Sequence, residues 1–249
     1  MRIIMKKNRF LVLGLCAGLF LAAGCGQPVG TESSVSETSV VESENAAEAE
    51  AILSSDQEIP EKLSALSQIN GDVYAWLDIP GTNISFPVLQ NAQDTGFYLI
   101  HNEAGQSDEA GSIYTEYVNS KDFTDNNTVI YGRNVDSRFG RLHQYRDRDF
   151  FDSNHTIEIY LPDKTLTYQI FAAYTYDDRH LIASYDFSDE TVYNDYLESV
   201  FSIRRIDAFI DESAQVSADD RIITLSTGVT DHPEERYLVQ AVLTGEGGR

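Results

Sequence analysis

Of the side chains that could act as nucleophiles or soft metal ligands, the thiols are the scarcest: Cys16 and Cys25 are the only two cysteines in 249 residues. Both precede position 26. Arg2, Lys6, Lys7 and Arg9 open the chain, and an apolar run from Phe10 to Ala23 follows, which is the order of a secretory signal. The run ends in Leu21-Ala22-Ala23-Gly24-Cys25, small residues leading into a cysteine, and this has the pattern of a bacterial lipobox. On that reading Cys25 receives a lipid and becomes the first residue of the processed chain, so the membrane is its first partner. An uncleaved anchor, or a plain secretory signal with a stray cysteine, stays open. In each case the remainder lies outside the cytoplasmic membrane. A domain that starts after Cys25 holds no thiol, which excludes a disulfide framework, a zinc–thiolate site and a cysteine nucleophile.

Charge narrows the classes further. Eighteen basic against forty acidic side chains give a formal net charge of −22. Nucleic-acid binding needs clustered Lys and Arg to neutralise phosphates, so nucleic acid is excluded as a partner. No cofactor or metal site is implied.

The elements that must position any chemistry begin well inside the chain. Residues 1–25 form the signal segment with its lipobox. Residues 26–57 are rich in Ser, Glu, Ala and Val, carry Glu32, Glu37, Glu42, Glu44, Glu48, Glu50 and Asp56, and contain no Lys, Arg or aromatic residue. Such a composition predicts a disordered, self-repelling tether with a reach on the order of 30 Å. A short helical patch near residues 46–53 would be marginal alone. Residues 58–245 form the predicted domain. Pro60 starts a helix in which Leu63, Leu66 and Ile69 share a face, and Asn70-Gly71 ends it. Short β-type runs follow at 84–88, 111–116, 128–132, 155–161, 165–172, 221–227 and 236–243. Pro162-Asp163-Lys164 joins the middle pair as a hairpin, with Ile157, Ile159 and Leu161 facing Leu166, Tyr168 and Ile170. Ser188 is the predicted cap of one further helix carrying Val192, Tyr193, Tyr196, Leu197 and Val200. Many short strands with few helices predict a mainly β fold closed into a barrel, since open edges invite aggregation.

Several stretches stand out in order: Asn70–Leu77 with Ile84–Gln90, Phe97-Tyr98-Leu99, Gly111–Tyr114, Val129-Ile130-Tyr131-Gly132, Ile222–Thr227 and Arg236–Val239. Taken together they resemble one family, the class B sortases. The resemblance spans residues 58 to 244. It implies a sortase-type closed β-barrel with an N-terminal helix and one helix before the penultimate strand. It also implies an activity: a thiolate attacks a sorting-signal peptide, an imidazole protonates the leaving amine, an arginine steadies the oxyanion, and the acyl-enzyme passes to an amine.

The residues that should do this are altered. Where the family has Tyr-Gly-His this chain has Tyr131-Gly132-Arg133, and where the family's cysteine follows Thr-Leu-Ser-Thr this chain has Gly228. Arg236 remains at the family's arginine position. Gly228 has no side chain to attack with, and a guanidinium that stays protonated cannot act as a general acid. Losing a nucleophile of this kind costs about 10⁶ in turnover, roughly 8 kcal/mol of barrier. Ser226 could face the same way as Gly228 but about 6–7 Å along the strand, whereas Thr227 would face away. His232 is predicted in the loop between the last strands, and His101 and His143 read as surface or packing residues. The expected protein is a pseudosortase, a cell-surface lipoprotein of Gram-positive type whose former groove binds a peptide or cell-wall fragment, with an active sortase or a surface protein as a further partner. The alternatives are a transpeptidase with non-standard catalytic residues and a structural surface domain without a ligand. Arg133 and Arg236 would form a cationic spot in the groove unless local acids such as Asp136 or Glu235 pair with them.

Overall fold

The computed structural model describes residues 36–248, and the signal segment with Cys25 lies outside the described residues. From Glu37 onward the chain forms one compact unit. Five α-helices and nine strands follow in the order α1 (Ser36–Ser54), α2 (Ile59–Ile69), β1 (Val73–Asp78), β2 (Ser85–Leu89), β3 (Ile113–Thr115), β4 (Asn127–Tyr131), α3 (Arg148–Ser153), β5 (Thr156–Tyr160), β6 (Lys164–Asp177), α4 (Leu181–Ser184), α5 (Glu190–Phe201), β7 (Phe209–Ile210), β8 (Ile222–Val229) and β9 (His232–Gly248).

The sheet runs β5-β1-β2-β3-β4-β8-β9-β6, and β5 pairs again with β6 to close an eight-stranded barrel, while β7 adds to the far edge of β6. The β5–β6 hairpin forms with Tyr160 opposite Thr165 and Ile157 opposite Tyr168, as the alternation predicts. Side chains alternate between the two faces of each strand. Ile223 and Leu225 of β8, Ile130 of β4, and Tyr237 and Val239 of β9 fill the barrel with Leu77, Phe139 and Tyr145. Their neighbours Ile222, Val129 and Leu238 face out, under Tyr193, Tyr196, Leu197 and Val200 of α5. These layers hold the C-terminal ends of β4 and β8 side by side, because the two strands are parallel and Tyr131 pairs with Ser226.

Three expectations are corrected. The predicted tether of residues 26–57 is helical over Ser36–Ser54, because Ala49 is buried and Ile52 and Leu53 pack with Leu63, Leu66 and Trp76, giving α1 the tertiary support that an isolated acidic helix lacks. The domain therefore extends further towards the N-terminus than residue 58, and β9 carries it past 245 to Gly248. Asp189, not Ser188, caps α5: its carboxylate accepts from the Thr191 and Val192 amides at 2.9 and 3.1 Å, while the Ser188 hydroxyl donates to Asp186 Oδ1. The stretch from Val73 to Asp78 is a strand buried on both faces, which hides the alternation that would mark it. Among the described residues no helix is long and apolar enough to cross a membrane.

Candidate active-site cleft

Strand register places three of the sequence-predicted site residues together. Gly228 of β8 pairs directly with Arg236 of β9. Arg236 in turn pairs with Tyr176 of β6. On the other side of β8, the Gly132 amide donates to the Ser226 carbonyl at 3.1 Å, carrying the β4 ladder one step further and bringing Arg133 alongside Gly228. One outward-facing row therefore reads Arg133, Gly228, Arg236, Tyr176. With strands spaced at about 4.8 Å, the two arginine backbones stand roughly 10 Å apart across a position that has no side chain. All four residues line one cleft of about 570 Å³, whose walls include Tyr114, Tyr131 and Ser226.

The two glycines at this end of the sheet have different causes. A Cβ on Gly132 would lie 2.5 Å from Ile113 Cδ1 and 2.7 Å from the Phe139 ring, so packing demands glycine there. A Cβ on Gly228 would find its nearest neighbour, Asn134 Cβ, at 3.8 Å, an ordinary contact. Gly228 is not among the residues with positive φ. Nothing in the backbone or the surroundings requires a glycine at 228.

Neither arginine is in an ion pair with an acid among the described residues. Arg236 Nη1 donates to the Pro233 and Glu235 carbonyls, both at 2.8 Å. Arg133 Nη1 makes one long contact, 3.5 Å, to the Leu99 carbonyl and is otherwise exposed. The loop that follows Arg133 is fixed by Arg138, whose Nε donates to the Gly111 carbonyl at 2.6 Å and whose Nη2 meets Glu103 Oε1 at 3.2 Å. Burial pushes the Glu103 carboxyl up, and the Arg138 guanidinium beside it opposes that shift.

The serine and the histidines fall as follows. Ser226 faces the cleft with Gly228, and Thr227 is buried on the opposite face. No hydrogen bond joins the Ser226 hydroxyl to a histidine among the described residues. His232 begins β9, exposed, 3.4 Å from Glu234. His101 stacks on Phe97. His143 is half-buried as a packing residue, but its Nε2 lies 3.0 Å from the Gly228 carbonyl, while Arg146 Nε donates to its Nδ1 at 3.2 Å. That arrangement sets the neutral tautomer with the proton on Nε2. Burial is the main cause that lowers the His143 pKa, and the nearby Arg146 adds to it against the Gly228 hydrogen bond.

One pair in the cleft escaped the sequence reading. His180, at the turn after β6, lies 2.7 Å from Glu116 Oε1 through Nε2, and its Nδ1 accepts from the Ala183 amide at 3.2 Å. Its ring stacks on Tyr131, which stacks on Tyr114, so an aromatic ladder backs the cleft. The only sequence signal is the charged run Asp177–His180 that ends a long apolar strand. Glu116 lies 64 residues earlier, and no local pattern connects the two.

Comparisons with known proteins agree with this architecture. The chain is 36% identical over 191 residues to sortase B of Listeria monocytogenes, covering 75% of each chain. It is 26% identical over 168 residues to sortase B of Staphylococcus aureus, covering 67% of each. The solved structure of Clostridium perfringens sortase B superposes with a TM-score of 0.65 at 31% identity, over 73% of this chain and 99% of the other. No family model matches. The identity to the Listeria protein, together with a closed eight-stranded barrel of the same fold, establishes that this chain belongs to the class B sortases, a family of sortase-type transpeptidases.

Proposed function

We infer that this chain is a pseudosortase, a surface protein that uses the sortase cleft to hold an acidic ligand instead of transferring an acyl group. The observation that carries the reading is the row lining the cleft, where two arginines stand on either side of a residue with no side chain. Transpeptidation by thiolate attack, as the resemblance implies it, needs a sulfur at position 228 and an imidazole at position 133. The described residues contain no cysteine at all, and a guanidinium occupies position 133. Ser226 has no base bound to it, and a hydroxyl without a base is a weak nucleophile. Binding makes smaller demands. The cleft volume suits an extended peptide segment, and two arginines without acid partners favour a carboxylate or another oxyanion over a neutral group.

The ligand class is a peptide or cell-wall fragment carrying an acidic group, and the site residues are Arg133 and Arg236 with Gly228 between them. Cys25 supports carriage by a lipid on the outer face of a Gram-positive membrane, and Cys25→Ala should then shift the protein from the membrane fraction to the medium.

Calorimetric titration with acidic and amidated versions of one model sorting peptide tests the binding reading. Preference for the acidic peptide, lost in Arg133→Ala plus Arg236→Ala, supports it. Cleavage of the peptide, or an acyl adduct on the protein by intact mass, overturns it.

A further inference from the structure

The cleft carries acids as well as arginines, and strand register separates the two along its length. Arg133, Gly228 and Arg236 stand at the end where β4 and β8 finish. Thr115, the last residue of β3, pairs with Ile130, so Glu116 enters the cleft at the level of Val129, which lines it as well. Val129 lies four positions before Arg133, about 13 Å along an extended chain. Tyr131 and Tyr114, stacked with ring centroids 5.5 Å apart, occupy the interval.

Glu116 keeps its charge. His180 Nε2 lies 2.7 Å from its Oε1, but the Ala183 amide donates to Nδ1 of the same ring at 3.2 Å. A ring nitrogen that accepts carries no proton, so His180 gives Glu116 one hydrogen bond from a neutral imidazole and no compensating charge. The Glu116 side chain is 16% exposed, and no Lys or Arg pairs with it among the described residues. Arg179, the third arginine lining the cleft, is committed to Asp177 at 2.8 Å and lies over the Tyr176 ring. Asp178 adds an exposed carboxylate to the lining. Tyr114 feels both ends: burial pushes its hydroxyl up to about 12, Glu116 adds to that rise and Arg133 opposes it.

The cleft is therefore dipolar, with two arginines free of acids at one end, an uncompensated carboxylate at the other and aromatic rings between them. A purely acidic ligand long enough to cross the rings would bring its far end towards that carboxylate unrewarded. A ligand with an ammonium there gains a charge-assisted hydrogen bond. An extended peptide advances about 3.3 Å per residue, so the interval corresponds to about four residues. We propose that the cleft takes a zwitterionic peptide segment, with an acidic group at Arg133 and Arg236 and a lysine-type ammonium at Glu116, about four residues apart. The proposal rests on the reading of the cleft as a site for an acidic ligand and adds to it the second charge and its spacing.

Calorimetric titration of the full chain tests the assignment, using end-blocked peptides with one Glu and one Lys separated by three uncharged residues, in both orders. For the tighter order, acetylating the lysine should weaken binding about fivefold, the loss expected for one partly screened ion pair. Glu116→Gln keeps an acceptor for His180 Nε2 and should erase that difference while leaving the acetylated peptide's affinity unchanged. Equal binding of the lysine and acetyl-lysine peptides by the parent chain overturns the zwitterionic assignment, and so does a lysine preference that survives in folded Glu116→Gln. In either case a retained preference for Glu over Gln in the peptide leaves the acidic reading standing. If that preference is absent, or neither peptide binds, both readings fall.

Discussion

His143 reaches the carbonyl of Gly228 with Nε2 at 3.0 Å, while Arg146 occupies its other ring nitrogen. This histidine folds neutral, with a pKa held below 6.5 mainly by burial. Unfolding frees it to bind a proton, so the unfolded state gains protons first as pH falls. Its contribution to stability is complete above about pH 6.5 and is lost as pH falls through the lowered folded value. Melting temperature should therefore drop on acidification from pH 7.5 to 5.5, and His143→Gln should flatten that dependence. Equal slopes in the two proteins would contradict the assignment.

The two glycines of the cleft predict opposite responses to one methyl group. Gly132→Ala drives a Cβ into Ile113 and Phe139 and should cost about 1–3 kcal/mol by overpacking. Gly228→Ala meets only an ordinary contact and should be neutral or stabilising by up to about 1 kcal/mol, because it restricts the unfolded chain. Urea unfolding of both variants checks the contrast.

Restoring the missing chemistry is a third test. Gly228→Cys should fold as the parent does and give the domain after Cys25 one thiol that reacts with a disulfide reagent. Combined with Arg133→His, it should form an acyl adduct with a sorting peptide, seen as a mass increase that the parent protein never shows. A folded double variant without adduct would mean that the cleft has diverged beyond its two replaced residues.

Arg138 and Glu103 form an ion pair with side chains only 12% and 5% exposed. Removing the cation alone leaves a buried carboxylate uncompensated, so Arg138→Met should cost about 3–5 kcal/mol. Arg138→Met with Glu103→Leu should recover most of that loss. A thermodynamic cycle with the single and double variants measures the coupling.

What the sequence could and could not reveal follows the range of the interactions. The β5–β6 hairpin was legible because Ile157, Ile159, Leu166 and Tyr168 alternate with polar residues around a turn. The α5 stripe was legible for the same kind of reason, at the helical period. The closed barrel and the grouping of Arg133, Gly228 and Arg236 came through the resemblance of scattered stretches to a family, whereas the strand order and the Gly228–Arg236 register leave no local trace. α1 was illegible because its residues are acidic and its few apolar side chains become a face only when Leu63, Leu66 and Trp76 are there to meet them. The His180–Glu116 contact depends on two loop positions brought together across the fold, and neither residue type signals it alone.

The docked α1 changes how far this protein can roam. Ten residues, from 26 to 35, separate Cys25 from the first turn of that helix. A chain of that length spans at most about 35 Å even when pulled straight. If a lipid holds Cys25, that span and the 19-residue rod of α1 together set the furthest the barrel can stand from the bilayer.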